Sequence, residues 1–263
     1  MPTVTANGIS FNYRIDGPDG APWITFSNSL ATNISMWDAQ ATLLSNDWRV
    51  LRYDQRGHGG TEAAPPPYSF GLLGDDVIAL WDELGVKRSA FCGLSMGGTT
   101  GLGLAIDHED RLVAYIGCDC RCDSPPDFAA AWDQRIAAAR AGGMDGMAQP
   151  TVSRWFTEAF LAAHDEVVEK VRSMIRTTSL NGFIGCSNAL QNIEYRDRLE
   201  RIRVPTLFMC GEHDPAANPD YIRPMQQAVP GAELVVIPDA GHISNMENPE
   251  FFNRGLTDFL TRL

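Results

Sequence analysis

Apolar and polar positions along the chain change rhythm several times. Thr3–Ala6 and Ile9–Ile15 alternate apolar with polar residues, the period of a half-buried strand, and Asn7-Gly8 between them signals a hairpin turn. Short apolar runs at Trp23–Ser27, Trp48–Tyr53, Ser89–Gly93, Leu112–Cys118, Thr206–Cys210 and Leu234–Ile237 read as buried strands. Helical spacing separates them. It is clearest over Phe70–Leu84, where Leu73, Val77, Leu80 and Leu84 share one face. It also marks Met36–Leu44, Gly97–Asp107, Tyr221–Val229 and Phe251–Leu263. Strand and helix in alternation predict an α/β domain with a mostly parallel central sheet flanked by helices.

One stretch breaks the alternation. Residues 123–203 hold no convincing β run. They read as helices at Phe128–Ala141, Met144–Ala148, Arg154–Ala163, Glu166–Thr177 and Asn181–Asn192. No Pro/Gly/Ser-rich linker divides the chain, so a single domain is expected. Residues 1–122 and 204–263 would form its core, and 123–203 a helical cap, or lid, inserted between two strands.

Charge and composition narrow the partners. The net charge of −12 over 263 residues argues against nucleic acid or an anionic membrane surface as partner. No run of about 18 uncharged apolar residues predicts a membrane span. The Met1-Pro2-Thr3-Val4 start shows no secretion signal, which makes the cytosol the expected compartment. The six cysteines are then expected as free thiols. Cys118-Asp119-Cys120-Arg121-Cys122 invites a metal reading, but no second Cys or His pair stands at a zinc-type spacing. The end of a buried strand and the start of a loop is the better reading. No metal or cofactor is expected, and the oligomeric state, with a homo-oligomer as one option, is left open.

Gly93-Leu94-Ser95-Met96-Gly97 follows an apolar run and opens a helical one. A serine held on such a sharp strand-to-helix turn projects its hydroxyl above the sheet, and flanking glycines allow the two backbones to approach. A serine hydroxyl is a weak nucleophile and needs a base. Of the five histidines, His242 follows the last strand in Asp239-Ala240-Gly241-His242. His58 lies in an early turn, where a packing or hydrogen-bonding role is expected. His108 ends a helix, His164 lies in the cap and His213 neighbours an acid.

These motifs resemble the α/β-hydrolase superfamily over nearly the whole chain. Within it the chain is most similar to 3-oxoadipate enol-lactonases of aromatic catabolism. That resemblance rests on Ser27-Asn28-Ser29-Leu30-Ala31-Thr32, Met36-Trp37-Asp38, Tyr53-Asp54-Gln55-Arg56-Gly57-His58-Gly59 and Gly93-Leu94-Ser95-Met96-Gly97-Gly98. In the cap it rests on Trp132-Asp133-Gln134-Arg135-Ile136 and Arg154-Trp155-Phe156. It implies the chain order nucleophile, acid, base, hence Ser95, Asp214 and His242. Asp119, at the end of the preceding strand, is the rival acid. The oxyanion amides implied are those of Leu30 and Met96, although Asn28-Ser29 stands where many esterases carry His-Gly.

The resemblance further implies a small, anionic ester or lactone substrate. Arg135 would meet its carboxylate, with a surface position on an amphipathic helix as the other reading. Trp132 and Trp155 would line the pocket or form cap core. Cys118–Pro126 and Gly142-Gly143 depart from the family pattern near this pocket, so the substrate need not be the family's usual one. The expected reaction is ester or lactone hydrolysis through an acyl-enzyme. C–C bond hydrolysis of a ring-cleavage diketone, general carboxylesterase or perhydrolase activity, and a non-catalytic ligand receptor on the same fold remain as alternatives.

Overall fold

The computed structural model describes residues 2–263. The strands are β1 (Thr3–Ala6), β2 (Ile9–Asp16), β3 (Trp23–Ser27), β4 (Arg49–Tyr53), β5 (Ser89–Leu94), β6 (Leu112–Cys118), β7 (Thr206–Gly211) and β8 (Glu233–Ile237). They form one sheet in the order β1-β2-β4-β3-β5-β6-β7-β8. β1 and β2 pair antiparallel through the Asn7-Gly8 turn, where both residues have positive φ, and β2 pairs antiparallel with β4. From β4 to β8 every pairing is parallel.

The helices are α1 (Asp38–Leu44), α2 (Phe70–Glu83), α3 (Met96–Asp107), α4 (Pro126–Trp155), α5 (Glu158–Ala163), α6 (Asp165–Thr177), α7 (Leu180–Gln191), α8 (Pro219–Ala228), α9 (Ser244–Glu247) and α10 (Pro249–Leu260). Three short 3-10 turns complete the elements of the described residues. The expected Met36–Leu44 helix is divided, with a 3-10 turn at Ile34–Trp37 leading into α1. On α2 the apolar face is buried as its spacing requires, at Leu73, Val77 and Leu80, and the Ser69 side chain caps its first turn. No helix among the described residues is long and apolar enough to cross a membrane.

The central strands β5 and β7 are buried along their whole length, and β6 at every residue but Val113, which explains their apolar runs. Strand order reverses beside β3: the chain passes to β4 on one side, and β5 lies on the other. A crevice at the carboxyl ends of the strands is expected at such a switch point. The loops that leave β3 and β5 sit there.

Between β6 and β7 the sheet receives no strand, and α4 to α7 occupy the stretch. The expected separate helices at Phe128–Ala141 and Met144–Ala148, and the first residues of Arg154–Ala163, are one element. It is kinked at Gly143, whose φ of 64° and ψ of −174° are not helical. Only a residue without a Cβ takes that φ readily, so the Gly142-Gly143 pair redirects the chain without ending the helical run.

The turn Arg56–Gly60 fastens this insertion to the core. Arg56 pairs with buried Asp76 of α2, and the Gly57 carbonyl accepts from the Ser179 amide at the start of α7. His58 in the same turn is fully buried. Its Nδ1 faces the Arg56 carbonyl at 3.0 Å, and Nε2 has no partner. Burial pushes its pKa down to about 4, because a proton on Nε2 would have no acceptor.

The folded state therefore holds His58 neutral where an unfolded chain, with a pKa near 6.5, would protonate it. Its contribution to stability is present above that unfolded value and is lost as pH falls through the window down to about 4. The expected result in an NMR titration is a His58 imidazole that stays neutral below pH 5. Protonation of His58 near pH 6.5 in the folded protein would contradict it.

Candidate active site

Ser95 occupies the turn between β5 and α3 with φ of 56° and ψ of −114°, a conformation an L-residue adopts only under constraint. Three contacts impose it. The Ser95 amide donates to the Cys118 carbonyl of β6 at 2.7 Å, and the Gly97 amide to the Asn28 carbonyl at 3.1 Å. A Cβ on Gly97 would lie 2.3 Å from the Ser27 carbonyl oxygen, so the approach of α3 to the β3 loop admits only glycine.

The Ser95 Oγ lies 2.9 Å from His242 Nε2. His242 Nδ1 lies 2.8 Å from Asp214 Oδ2. Asp214 follows β7, its side chain is fully buried, and its other oxygen accepts from the Ala216 amide at 2.7 Å. Residues 95, 214 and 242 thus converge at the carboxyl edge of the sheet as a hydroxyl–imidazole–carboxylate chain.

Asp119 takes a different position. It accepts from the Gly211 amide at 2.7 Å and the Ser244 hydroxyl at 2.5 Å, bracing the ends of β6 and β7 against α9. Burial, with the Asp214 charge next to it, pushes its carboxyl well above the usual carboxylate range. The neighbouring thiols do not converge. Cys120 Sγ lies 3.6 Å from the Tyr115 hydroxyl and Cys122 Sγ 3.6 Å from that of Tyr221. Among the described residues the only group of three potential metal ligands is the exposed Glu212, His213 and Asp239.

The loop after β3 bends at Ala31, with φ of 58°, and the Ser29 carbonyl accepts from the Thr32 hydroxyl at 2.8 Å. Among the described residues, neither the Leu30 amide nor the Met96 amide, first in α3, has a hydrogen-bond acceptor. Leu30 and Ser95 border the same cavity. Two unanswered amides on the loops next to the Ser95 hydroxyl match the donor count of an oxyanion hole.

His242 is held by the inserted helices as well as by the sheet. Its amide donates to the Trp155 carbonyl at 2.7 Å, and the two rings lie 5.9 Å apart. Glu247, largely buried, ties the same parts together. Its Oε2 accepts from the Gly241 amide at 2.7 Å, and its Oε1 from the Thr157 amide and hydroxyl at 2.8 and 2.6 Å. The sequence carries no signal of this role for Glu247, because its Thr157 partner lies 90 residues away in the chain.

A cavity of ≈ 160 Å³ opens between Ser95, His242 and the inserted helices. Trp132, Arg135 and Trp155 all border it, as do Arg121, Phe128 and Arg154, which had no assigned role. The Arg135 guanidinium lies over the Trp132 ring at 4.4 Å and is more than half buried. Burial and the Arg154 charge push its pKa down to about 10, so it remains a cation at neutral pH. Among the described residues no carboxylate lies within 4.0 Å of it.

The chain is similar to proteins of known class over its full length. 3-Oxoadipate enol-lactonase 2 of Acinetobacter baylyi is 36% identical over 260 residues, covering 99% of this chain and 96% of that protein. The crystal structure of the enol-lactonase from Burkholderia xenovorans LB400 superposes with a TM-score of 0.94 at 41% identity, covering 99% of this chain and 100% of that one. A thermophilic esterase from Thermogutta terrifontis, solved with malate bound, gives a TM-score of 0.91 at 28% identity, covering 99% of this chain and 96% of that one. The sequence model of the α/β-hydrolase fold matches residues 22–249. With that match spanning β3 to β8, the Ser95 turn and the His242 loop, the chain belongs to the α/β-hydrolase family.

Proposed function

We propose that the protein is a serine hydrolase that opens a small carboxylated lactone, of the 3-oxoadipate enol-lactone kind, through an acyl-enzyme on Ser95. The observation that carries this reading is the Ser95–His242–Asp214 chain, 2.9 and 2.8 Å between successive partners, opening into a pocket bordered by the Arg135 cation. Similarity to enol-lactonases at 36 and 41% identity supports the same substrate class.

In this reading His242 Nε2 takes the Ser95 proton as Oγ bonds to the lactone carbonyl carbon. The carbonyl oxygen becomes an oxyanion between the Leu30 and Met96 amides. The ring C–O bond breaks, and the enol oxygen receives the proton from His242. The opened chain stays attached to Ser95 as an ester while its enol tautomerises to a ketone. Water, deprotonated by His242, attacks that ester. The Ser95–acyl bond breaks, Ser95 regains its proton from His242, and the new carboxylic acid leaves with the product and loses its proton to solvent as a second carboxylate. Asp214 holds His242 with Nδ1 protonated and stabilises the imidazolium formed in each half-reaction. This chain of steps needs no group beyond these side chains, two amides and water.

The cavity limits the substrate. A volume of ≈ 160 Å³ is close to that which holds one benzene ring, which suits a small ring with a short arm. The apolar walls at Leu30, Phe128 and Met147 lower the local dielectric and strengthen the pull of Arg135 on an anionic arm.

Arg135→Ala is expected to raise KM for a carboxylated lactone about 10- to 100-fold, with a far smaller change for a neutral ester. Equal changes for both substrates would remove its recognition role. The reading as a whole is tested by supplying a carboxylated enol-lactone, a neutral lactone and a vinylogous diketone in parallel. It expects turnover highest on the first. Turnover confined to the diketone would replace it with C–C bond hydrolysis.

A further inference from the structure

We propose that Arg154 is a second anion-binding cation of this pocket, and that Arg135 and Arg154 together hold one substrate carboxylate between two guanidinium groups. The inference rests on the reading of the site given above and deepens it.

Arg135 and Arg154 both belong to α4, 19 positions apart by number. In a straight helix that separation is roughly 28 Å at 1.5 Å per residue. The turn at Gly143 redirects the second half of the helix, and both arginines border one cavity the size of a small ring. The glycine pair thus has a functional consequence: it brings two cations from one helix to a single ligand.

Neither cation is neutralised by the protein. Among the described residues, Arg154, like Arg135, has no carboxylate within 4.0 Å and donates no hydrogen bond. Arg121, on the same cavity, behaves differently. It donates to the Ala216 carbonyl at 2.7 Å, meets Asp123 at 3.5 Å and stacks on Phe128 and Tyr221. Neither Asp119, on the cavity, nor Asp214, behind His242, pairs with these arginines. Asp119 is occupied by Gly211 and Ser244, and Asp214 by His242 and Ala216.

Two partly buried, unpaired like charges are unfavourable for the empty protein. A carboxylate resolves that strain. Its two oxygens offer about four acceptor positions, enough for two guanidinium forks. Burial lowers the pKa of Arg154, and the charge of Arg154 adds to the lowering at Arg135, as expected for cations sharing one desolvated space. The ligand class is therefore an acyl compound whose carbon skeleton ends in a carboxylate a few bonds from the reacting carbonyl.

The test compares wild type, Arg154→Gln and Arg154→Lys on a carboxymethyl enol-lactone and its carboxamide analogue. Arg154→Gln is expected to raise KM about 10- to 100-fold for the carboxylate and to change the carboxamide far less. Arg154→Lys should recover part of the loss. Because the substitution removes like-charge repulsion, the Tm of Arg154→Gln should equal or exceed that of wild type, whereas loss of a structural arginine would lower it. A second arm needs no lactone turnover: adipate should protect Ser95 from a fluorophosphonate probe in wild type, with Arg154→Gln requiring at least about tenfold more. Protection in wild type without lactone hydrolysis would sink the lactonase reading and leave this inference standing. Equal KM shifts on both analogues, or equal adipate requirements in both proteins, would overturn the inference even for an active lactonase.

Discussion

Replacing Ser95 by alanine is expected to lower kcat about 10⁴-fold or more while leaving the fold intact. The deleted oxygen is the atom 2.9 Å from His242 Nε2, and no other hydroxyl among the described residues is bonded to that nitrogen. Alanine is smaller than serine and accepts the same backbone turn, which is held by the Cys118 and Asn28 carbonyls and not by the Ser95 side chain. The residual rate would come from the Leu30 and Met96 amides and from pocket binding. Steady-state kinetics beside a thermal melt separates the two effects. Near wild-type turnover in a folded Ser95→Ala protein would exclude the acyl-enzyme.

Asp214→Asn should cost nearly as much, about 10⁴-fold in kcat, because the amide can donate to Nδ1 and favour the wrong imidazole tautomer. Asp119→Asn provides the contrast. Its carboxyl is already driven toward the neutral form by burial, and the Ser244 hydroxyl can turn from donor to acceptor. A change within about tenfold in kcat is expected, since no atom of Asp119 is bonded to His242. Comparable losses from both substitutions would mean that the two carboxyls act as one unit. A larger loss from Asp119→Asn would reverse the assignment.

These two acids also mark a limit of reading this sequence. β6 and β7 are neighbouring parallel strands that end at one edge, so an acid after either can lie near His242. Chain order favoured Asp214, but only the positions of Gly211 and Ser244 reveal what occupies Asp119. The parallel strands were readable because burial on both faces writes a local apolar run. Ser95 was readable because its turn needs glycine at 93 and 97, within a few residues.

The cap was readable only in part. Its helical character is periodic, but the φ of one glycine decides whether α4 ends at residue 143 or turns there. Arg154 stands beside Trp155 in the Arg154-Trp155-Phe156 motif, yet its place near Arg135 depends on that turn. Glu247 joins Gly241 to Thr157, which lies 90 residues before Glu247 in the chain, and no local pattern marks such a contact.

The central claim, that the Ser95 hydroxyl is the atom activated for attack, is tested most directly by fluorophosphonate labelling followed by peptide mass mapping. The account predicts one stoichiometric adduct on the peptide that contains Ser95, formed far more slowly when His242 is replaced by alanine. An unlabelled protein, or an adduct on any other residue, would contradict it.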